Sequence, residues 1–259
     1  MTTLRAGWII TQRDLAHWVR QPWTPIFNLL FTIMLLLIFG FLFGGAITVP
    51  GGGDYLAFLL PGMLALTMMF GVEATSIAMA QDARKGITDR FRSMPIGGAA
   101  VSLGRVGADM AASAVELLVL ITGGLAVGWR IDAGPASVAL AVGLLLWLRF
   151  AVLWLGIYLG LLLRGEGATM AVQVLVWPVG FLSTAIVSAE TMPGWLGAIA
   201  AWNPLSATAT AARQLFGSPT GVTAGPLVDG AVWLAIGWPL LITAIFAPLA
   251  GRAYRGLRT

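Results

Sequence analysis

The sequence predicts an all-α membrane protein: six transmembrane helices, an N-terminal interfacial amphipathic helix ahead of them, and re-entrant helices before the last span. Three observations predict it. Only 10% of the residues are charged while 58% are hydrophobic, and the mean hydropathy is +0.89; soluble domains carry nearer a quarter of charged residues to cover their surface. Stretches free of Asp, Glu, Lys and Arg recur at or above the roughly 20 residues a helix needs to cross a hydrocarbon core about 30 Å thick. The basic residues gather between those stretches. This composition sets aside aqueous enzyme folds, nucleic-acid modules and disordered regulators, and the net charge of +4 reads first as topology. With no cysteine in the chain, disulfides and thiolate metal sites are excluded.

The elements follow in order. In residues 1–22, Leu4, Trp8, Leu15, Trp18 and Val19 fall on one helical stripe and Arg13, His17 and Arg20 fall opposite, the pattern of an amphipathic helix lying in the interface; a juxtamembrane helix packed on the bundle fits the same pattern. The apolar run behind it starts too late and is too long for a signal-peptide core. Span 1 covers residues 25–47 and ends at the turn Gly51-Gly52-Gly53. Span 2 is 55–80, interrupted only by Glu73, and a polar loop follows at 81–98. Spans 3 and 4, 99–128 and 137–163, are separated by a turn holding Asp132, Gly134 and Pro135. Span 5 is 168–187 and span 6 is 227–250.

Residues 191–212 also lack charge, but Pro193, Gly194, Gly197 and Asn203-Pro204 break them up. They read as re-entrant helices within an outer segment, 188–226. Arg5, Arg13 and Arg20 precede span 1, and Arg252, Arg255 and Arg258 follow span 6, so both termini belong in the cytoplasm and the span count is even. Six spans put Arg84, Lys85, Arg90, Arg92 and Arg164 inside as well, leaving Arg130 and Arg213 outside.

The inventory for chemistry is thin. The one histidine, His17, lies in the first helix away from any carboxylate cluster, and no Gly-x-Ser-x-Gly element accompanies it. Acidic residues are scattered singly, without the spacing of a metal or phosphate site. A phosphate-binding loop needs Gly-Lys-Ser/Thr, yet the single lysine, Lys85, stands between Arg84 and Gly86. An ATP-driven protein built on this chain needs its motor on another polypeptide. Glycine pairs four apart, Gly40/Gly44, Gly124/Gly128 and Gly156/Gly160, occur within spans, but 33 glycines produce such pairs by chance, so no dimerisation motif is assigned.

Two groups of charge stand out. The 81–98 loop, Gln81-Asp82-Ala83-Arg84-Lys85-Gly86-Ile87-Thr88-Asp89-Arg90-Phe91-Arg92 onward, is either a loop that sets topology or a short docking helix with Ile87 and Phe91 to insert into a partner. The other group is Glu73, Arg105, Asp109, Glu116 and Arg149, ionisable residues inside spans, which need partners. At 1.5 Å per residue, Glu73 and Arg105 lie roughly 10 and 9 Å from the inner membrane edge and can pair; Arg149 has Asp109 and Glu116 as candidate carboxylates. Structural pairing between helices is the first expectation for all five, ahead of cargo contact or proton relay.

The ordered series resembles the ATP-binding-cassette type-2 permease family, and within it the daunorubicin/doxorubicin-resistance branch of bacterial drug and lipid exporters. The matching pieces are Arg13-Asp14 with Arg20-Gln21-Pro22, the run Tyr55-Leu56-Ala57-Phe58-Leu59-Leu60-Pro61-Gly62, Asp82 through Pro95, and Asn203-Pro204-Leu205 with Arg213. Together they cover essentially the whole chain, a single permease domain, 1–259. The resemblance implies a half-transporter that pairs with a second copy or a similar permease and rests on two copies of a separate ABC ATPase subunit, which holds the ATP and Mg; no cofactor is expected in this chain.

It further implies that residues 81–98 carry the ATPase-coupling helix, on Arg84, Lys85, Gly86, Asp89, Arg90 and Arg92. The transport pathway would run along spans 2 and 5, where Met68, Phe70, Gln173 and Trp177 are candidates. The implied function is export of a hydrophobic or amphipathic drug or lipid-like molecule across the bacterial plasma membrane. A motor-independent secondary transporter or channel is the alternative, kept open by Asp109 and Glu116, although no internal repeat of the kind such transporters carry is visible.

Overall fold

The computed structural model describes residues 11–12, 23–42, 47, 49–84, 98–163, 167–222 and 225–256. Among them the chain is helical, with no strand. Eight helices are numbered here: α1 (Trp23–Leu37), extended by a π-helical turn (Ile38–Leu42), α2 (Tyr55–Arg84), α3 (Gly98–Val127), α4 (Pro135–Leu162), α5 (Gly167–Phe181), α6 (Gly194–Ala201), α7 (Pro204–Phe216) and α8 (Ala231–Gly256). Within the described residues α2, α3, α4 and α8 are long and apolar enough to cross a membrane; α1 and α5 supply shorter apolar helices, Leu29–Leu42 and Met170–Phe181.

The bundle is organised around α2. It packs most extensively on α4 and also touches α7 and α5, while α4 packs in turn on α8. The α2–α4 crossing is close because glycines and small polar residues line it. A Cβ on Gly156 would lie 2.8 Å from the Val72 carbonyl oxygen, and one on Gly160 would lie 2.5 Å from that of Ser76. Ser76 Oγ sits 2.8 Å from Val72 O on its own helix and 3.0 Å from Gly156 O across the crossing. The pair Gly156/Gly160, set aside in the sequence as chance, is therefore the small-residue face of a helix crossing within one chain.

Boundaries differ from expectation where side chains satisfy helix ends. Span 5 was expected to reach 187, but α5 ends at Phe181 because Asn203 Nδ2 donates to the carbonyls of Val179 (2.7 Å) and Leu182 (3.0 Å). These late carbonyls are thereby satisfied from outside the helix. The same Asn203 caps α7, its Oδ1 accepting from Leu205 N at 2.9 Å, with Pro204 at the first helical position as the N-terminal preferences favour. At the other end of α7, Gly217 takes a left-handed φ of 74° and closes the helix through the Arg213 and Gln214 carbonyls.

The 191–212 stretch is thus two helices, α6 and α7, meeting at Trp202–Asn203. The α3–α4 turn packs beneath α7: Asp132 N donates to Phe216 O at 3.1 Å and the Trp129 and Phe216 rings meet edge-on at 5.1 Å. Of the N-terminal segment, Thr11 is buried and its Oγ1 donates to Gly104 O at 2.9 Å. At that residue the segment packs on α3.

Candidate functional site

Three polar arrangements lie along α2. Near its middle, Arg149 of α4 is buried. Its Nε donates to Ser113 Oγ at 2.9 Å and its Nη2 to Thr75 Oγ1 at 3.4 Å. Thr75 Oγ1 lies 3.0 Å from both Asp109 Oδ2 and Gly71 O, so one proton serves two acceptors. Asp109 Oδ1 is 3.4 Å from Arg105 Nε, one turn earlier on α3, and Arg105 Nη1 lies 4.0 Å from Asp82 Oδ2. Glu116 completes the field, acting on Arg149 electrostatically alongside Asp109. Space for the guanidinium exists because position 71 is glycine: a Cβ there would overlap Arg149.

Of the five intramembrane ionisable residues, the structure joins Arg105, Asp109 and Arg149 in one contact network through Thr75 and Ser113, keeps Glu116 within electrostatic range of Arg149, and sets Glu73 apart. Glu73 was expected opposite Arg105. Its hydrogen bond comes instead from Gln173 Nε2 on α5, because Arg105 sits an i,i+4 step from Asp109 on its own helix.

The second arrangement surrounds Arg213, at the end where α2 begins. This side chain is fully buried; its Nε donates to Phe58 O and its Nη2 to Ala185 O, both at 2.8 Å. The guanidinium carbon lies 3.6 Å from the Phe58 ring centroid, well within cation–π range. Gly62 again makes the room, since a Cβ there would overlap Ala185 O and come within 2.7 Å of Arg213 Nη2. Tyr55 Oη donates to Ile186 O at 3.2 Å beside it. The sequence placed Arg213 among outer loop cations. Its burial was invisible there because its partners are carbonyls, which every residue carries.

The third arrangement is the seam of α2 with α5. Phe70 stacks on Trp177 with ring centroids 5.1 Å apart, Trp177 lies 5.7 Å from Phe181, and Glu73 bonds Gln173. Gly180 admits the Phe70 ring, where a Cβ would lie 2.9 Å from Cε1. Phe70, Gln173 and Trp177 thus share one face, half-buried. Met68 does not belong to it: at about 100° per residue it points roughly 140° away from Glu73, and it is fully buried in the core. Of the coupling residues, Arg84 is the last residue of α2, and Lys85, Gly86, Asp89, Arg90 and Arg92 lie outside the described residues.

A bundle of long apolar helices with charges held between them defines a multi-pass membrane protein. The chain belongs to the ABC-2 type transporter family, whose pattern it matches over residues 5–216. It is similar to the daunorubicin resistance ABC transporter permease protein DrrB1 of Streptomyces coeruleorubidus, 34% identical over 87% of this chain and 77% of the relative. It is 23% identical to the probable doxorubicin resistance ABC transporter permease protein DrrC of Mycobacterium tuberculosis, over 87% of this chain and 81% of that one. To the putative transport permease ycf38 of Cyanophora paradoxa it is 26% identical, over 92% and 83%. The chain is accordingly a transport permease and not an enzyme, and permeases of this family normally work with an ATPase partner.

Proposed function

We propose that this chain is the membrane-spanning subunit of an ATP-driven exporter that moves a hydrophobic or amphipathic drug or lipid-like molecule across the bacterial plasma membrane. Two copies of a separate ABC ATPase sit on its cytoplasmic face, and a second copy of itself or a similar permease completes the pathway. The observation that carries this reading is the family match along residues 5–216, with drug-resistance permeases among the relatives. The absence of a phosphate-binding loop around Lys85 supports a motor on another chain.

In this reading six segments cross the bilayer with both termini in the cytoplasm. α1 and its π-helical turn cover Trp23–Leu42, about 30 Å at 1.5 Å per residue, enough for one crossing. α5, with 15 residues, is only about 22 Å long. The 182–188 turn and the α6/α7 pair, re-entering from outside, fill the remaining depth. Exposed Trp23 at one end of the bundle and Trp195, Trp202 and Trp233 at the other suit the two aromatic belts of a membrane protein.

Alternating access then has a mechanical basis. α2 is a continuous helix of 30 residues, about 45 Å long. It joins the 81–98 coupling segment, where the ATPase would push, to the Arg213 cage near the outer mouth. ATP-driven closure of the motor tilts α2 through that segment, and its seam with α5 opens to release cargo outward.

The test is co-expression with the partner ATPase and measurement of ATP-dependent export in vesicles; movement independent of ATP favours the motor-independent alternative. Replacing Arg84, Arg90 and Arg92 together with alanine is expected to abolish ATPase co-purification and transport. Unchanged values for both reject the docking assignment.

A further inference from the structure

Arg105 stands where three elements meet near the inner end of the bundle. Its Nη1 lies 4.0 Å from Asp82 Oδ2, in the last turn of α2, and its Nε lies 3.4 Å from Asp109 Oδ1, one turn deeper on α3. Beside it the N-terminal segment holds α3: Thr11 Oγ1 donates to Gly104 O at 2.9 Å, and a Cβ on Gly107 would come within 2.9 Å of that same hydroxyl. Side-chain exposure falls from 29% at Asp82 to 19% at Arg105 and 10% at Asp109, so the three groups lead inward from the edge of the bundle. From Asp109 the contacts continue through Thr75 to Arg149 and Ser113.

Both ion-pair distances exceed the roughly 2.7–2.9 Å of a closed hydrogen bond between a cation and a carboxylate. The guanidinium is shared, and a step towards either carboxylate lengthens its contact with the other. The packing makes such a step available. α2 lies far more extensively on α4 than on α3 and is tied to α4 by the glycine crossing, whereas α3 is held at Gly104 by the N-terminal segment. A tilt of α2 therefore moves Asp82 relative to Arg105. Asp82 and Thr75 are seven residues apart on α2, about 10.5 Å, while Arg105 and Asp109 are four apart on α3, about 6 Å. The long Arg105 side chain spans that difference.

We propose that Arg105 is the positioning residue that passes displacement of α2 to the buried Arg149 network, by exchanging Asp82 for Asp109. While Asp82 is within reach, Arg105 is held towards the inner edge, and Asp109 stays on Thr75, whose hydroxyl also meets Arg149. When α2 carries Asp82 away, Arg105 closes on Asp109 and draws that carboxylate off Thr75. The polar join between α2 and α4 at Thr75 and Arg149 then loosens. This rests on the ATP-driven reading above and adds to it the residue at which the motor's stroke enters the bundle.

Two measurements test it. In the purified protein, a double-mutant cycle read by apparent Tm gives the coupling between Arg105→Gln and Asp109→Asn, once in the wild-type background and once with Asp82→Asn. With the competing carboxylate removed, that coupling should grow at least about twofold; an equal or smaller coupling overturns the proposal. In inside-out vesicles carrying the complex with its ATPase, the second measurement is movement of Nile red, an uncharged dye, per ATP hydrolysed. That ratio should fall about fivefold, the low end of coupling between sites, in Asp82→Asn and in Arg105→Gln. ATPase co-purification and basal hydrolysis should stay within about twofold of wild type, and Arg105→Lys, which keeps the charge, should recover about half of the ratio. Asp82→Asn, at the more exposed position, serves alone in the vesicles if Arg105→Gln does not fold.

Combining Asp82→Arg with Arg105→Asp separates exchange from a simple tie between two helices. The swap restores a simple tie, but a carboxylate at position 105 repels Asp109, so the ratio should stay low. Full rescue by the swap, an unchanged ratio in both single variants, or loss of ATPase co-purification in both overturns the assignment. Absence of ATP-driven Nile red movement by the wild-type complex rejects the exporter reading and this role with it. If that movement is present and the ratio is unchanged in the variants, only Arg105 loses its assignment.

Discussion

Arg149 and Arg213 are both buried in the same apolar bundle, and they are accommodated by different means. Arg149 sits in a field of opposite charge, with Asp109 reached through Thr75 and Glu116 acting at longer range. Arg213 has no carboxylate partner among the described residues; two backbone carbonyls and the face of Phe58 surround it. The first arrangement is close to charge-neutral, and removing one member strands the others. The second keeps its positive charge and balances it with dipoles and a ring quadrupole, so removing the arginine strands only neutral acceptors. In both, a glycine on α2, Gly71 or Gly62, supplies the volume the guanidinium occupies.

That contrast can be broken by mutation. Arg149→Met should have the largest effect, about 3–5 kcal/mol of destabilisation from a broken buried network that leaves Asp109 with Arg105 alone and Glu116 without the cation that acts on it, seen as a large fall in the apparent Tm of the detergent-purified protein. Adding Asp109→Asn should recover about half of the loss, as expected for directly coupled sites; strict additivity would place Asp109 outside the Arg149 network. Gly71→Ala comes next, at about 1–3 kcal/mol through overpacking against Arg149. Gly143→Ala is its control: this α4 glycine has open space where the Cβ would go, and the substitution should be neutral or gain up to about 1 kcal/mol from helix propensity.

Arg213→Met should cost about 1–3 kcal/mol, the loss expected when the Phe58 and Ala185 carbonyls are left without a donor. No carboxylate substitution should rescue it, and Arg213→Lys should recover only part, because a single ammonium does not reproduce the planar fork that reaches both carbonyls. A rescue of Arg213→Met by neutralising any acidic residue would erase the distinction between the two sites. The smallest effect belongs to Tyr55→Phe, which removes one hydrogen bond to Ile186 O and should lower stability by about 0.6 kcal/mol, the average for such bonds within membranes.

Legibility in the sequence follows the same division. The five intramembrane charges were conspicuous because a charged residue in an apolar run is visible by itself, and three of them are joined by contacts, with Glu116 in electrostatic range. The choice of partner was less legible: Glu73 and Arg105 were matched by depth alone, and depth does not say which face of a helix a residue occupies. Met68 lies in the core and away from the α2–α5 seam, a placement equally invisible beforehand, since its rotational position relative to α5 depends on how α2 packs. Gly156/Gly160 could not be told from chance pairs because a small-residue stripe acquires meaning only from the helix that lies on it.

The sequence by itself determined that this is an all-helical, multi-pass membrane protein and where its long apolar helices run. It also determined that no ATP-binding loop of the Walker type lies in the chain. Those are one-dimensional properties, set by the thickness of a bilayer and the cost of burying charge, and they can be counted along a chain. Only the tertiary structure decided that Arg213 is an interior residue, that Gly71 and Gly62 are the cavities for two guanidinium groups, and that Glu73 faces α5 away from the other charges. Each depends on backbone carbonyls and helix rotation, which carry no residue-specific mark and acquire positions only when the helices pack.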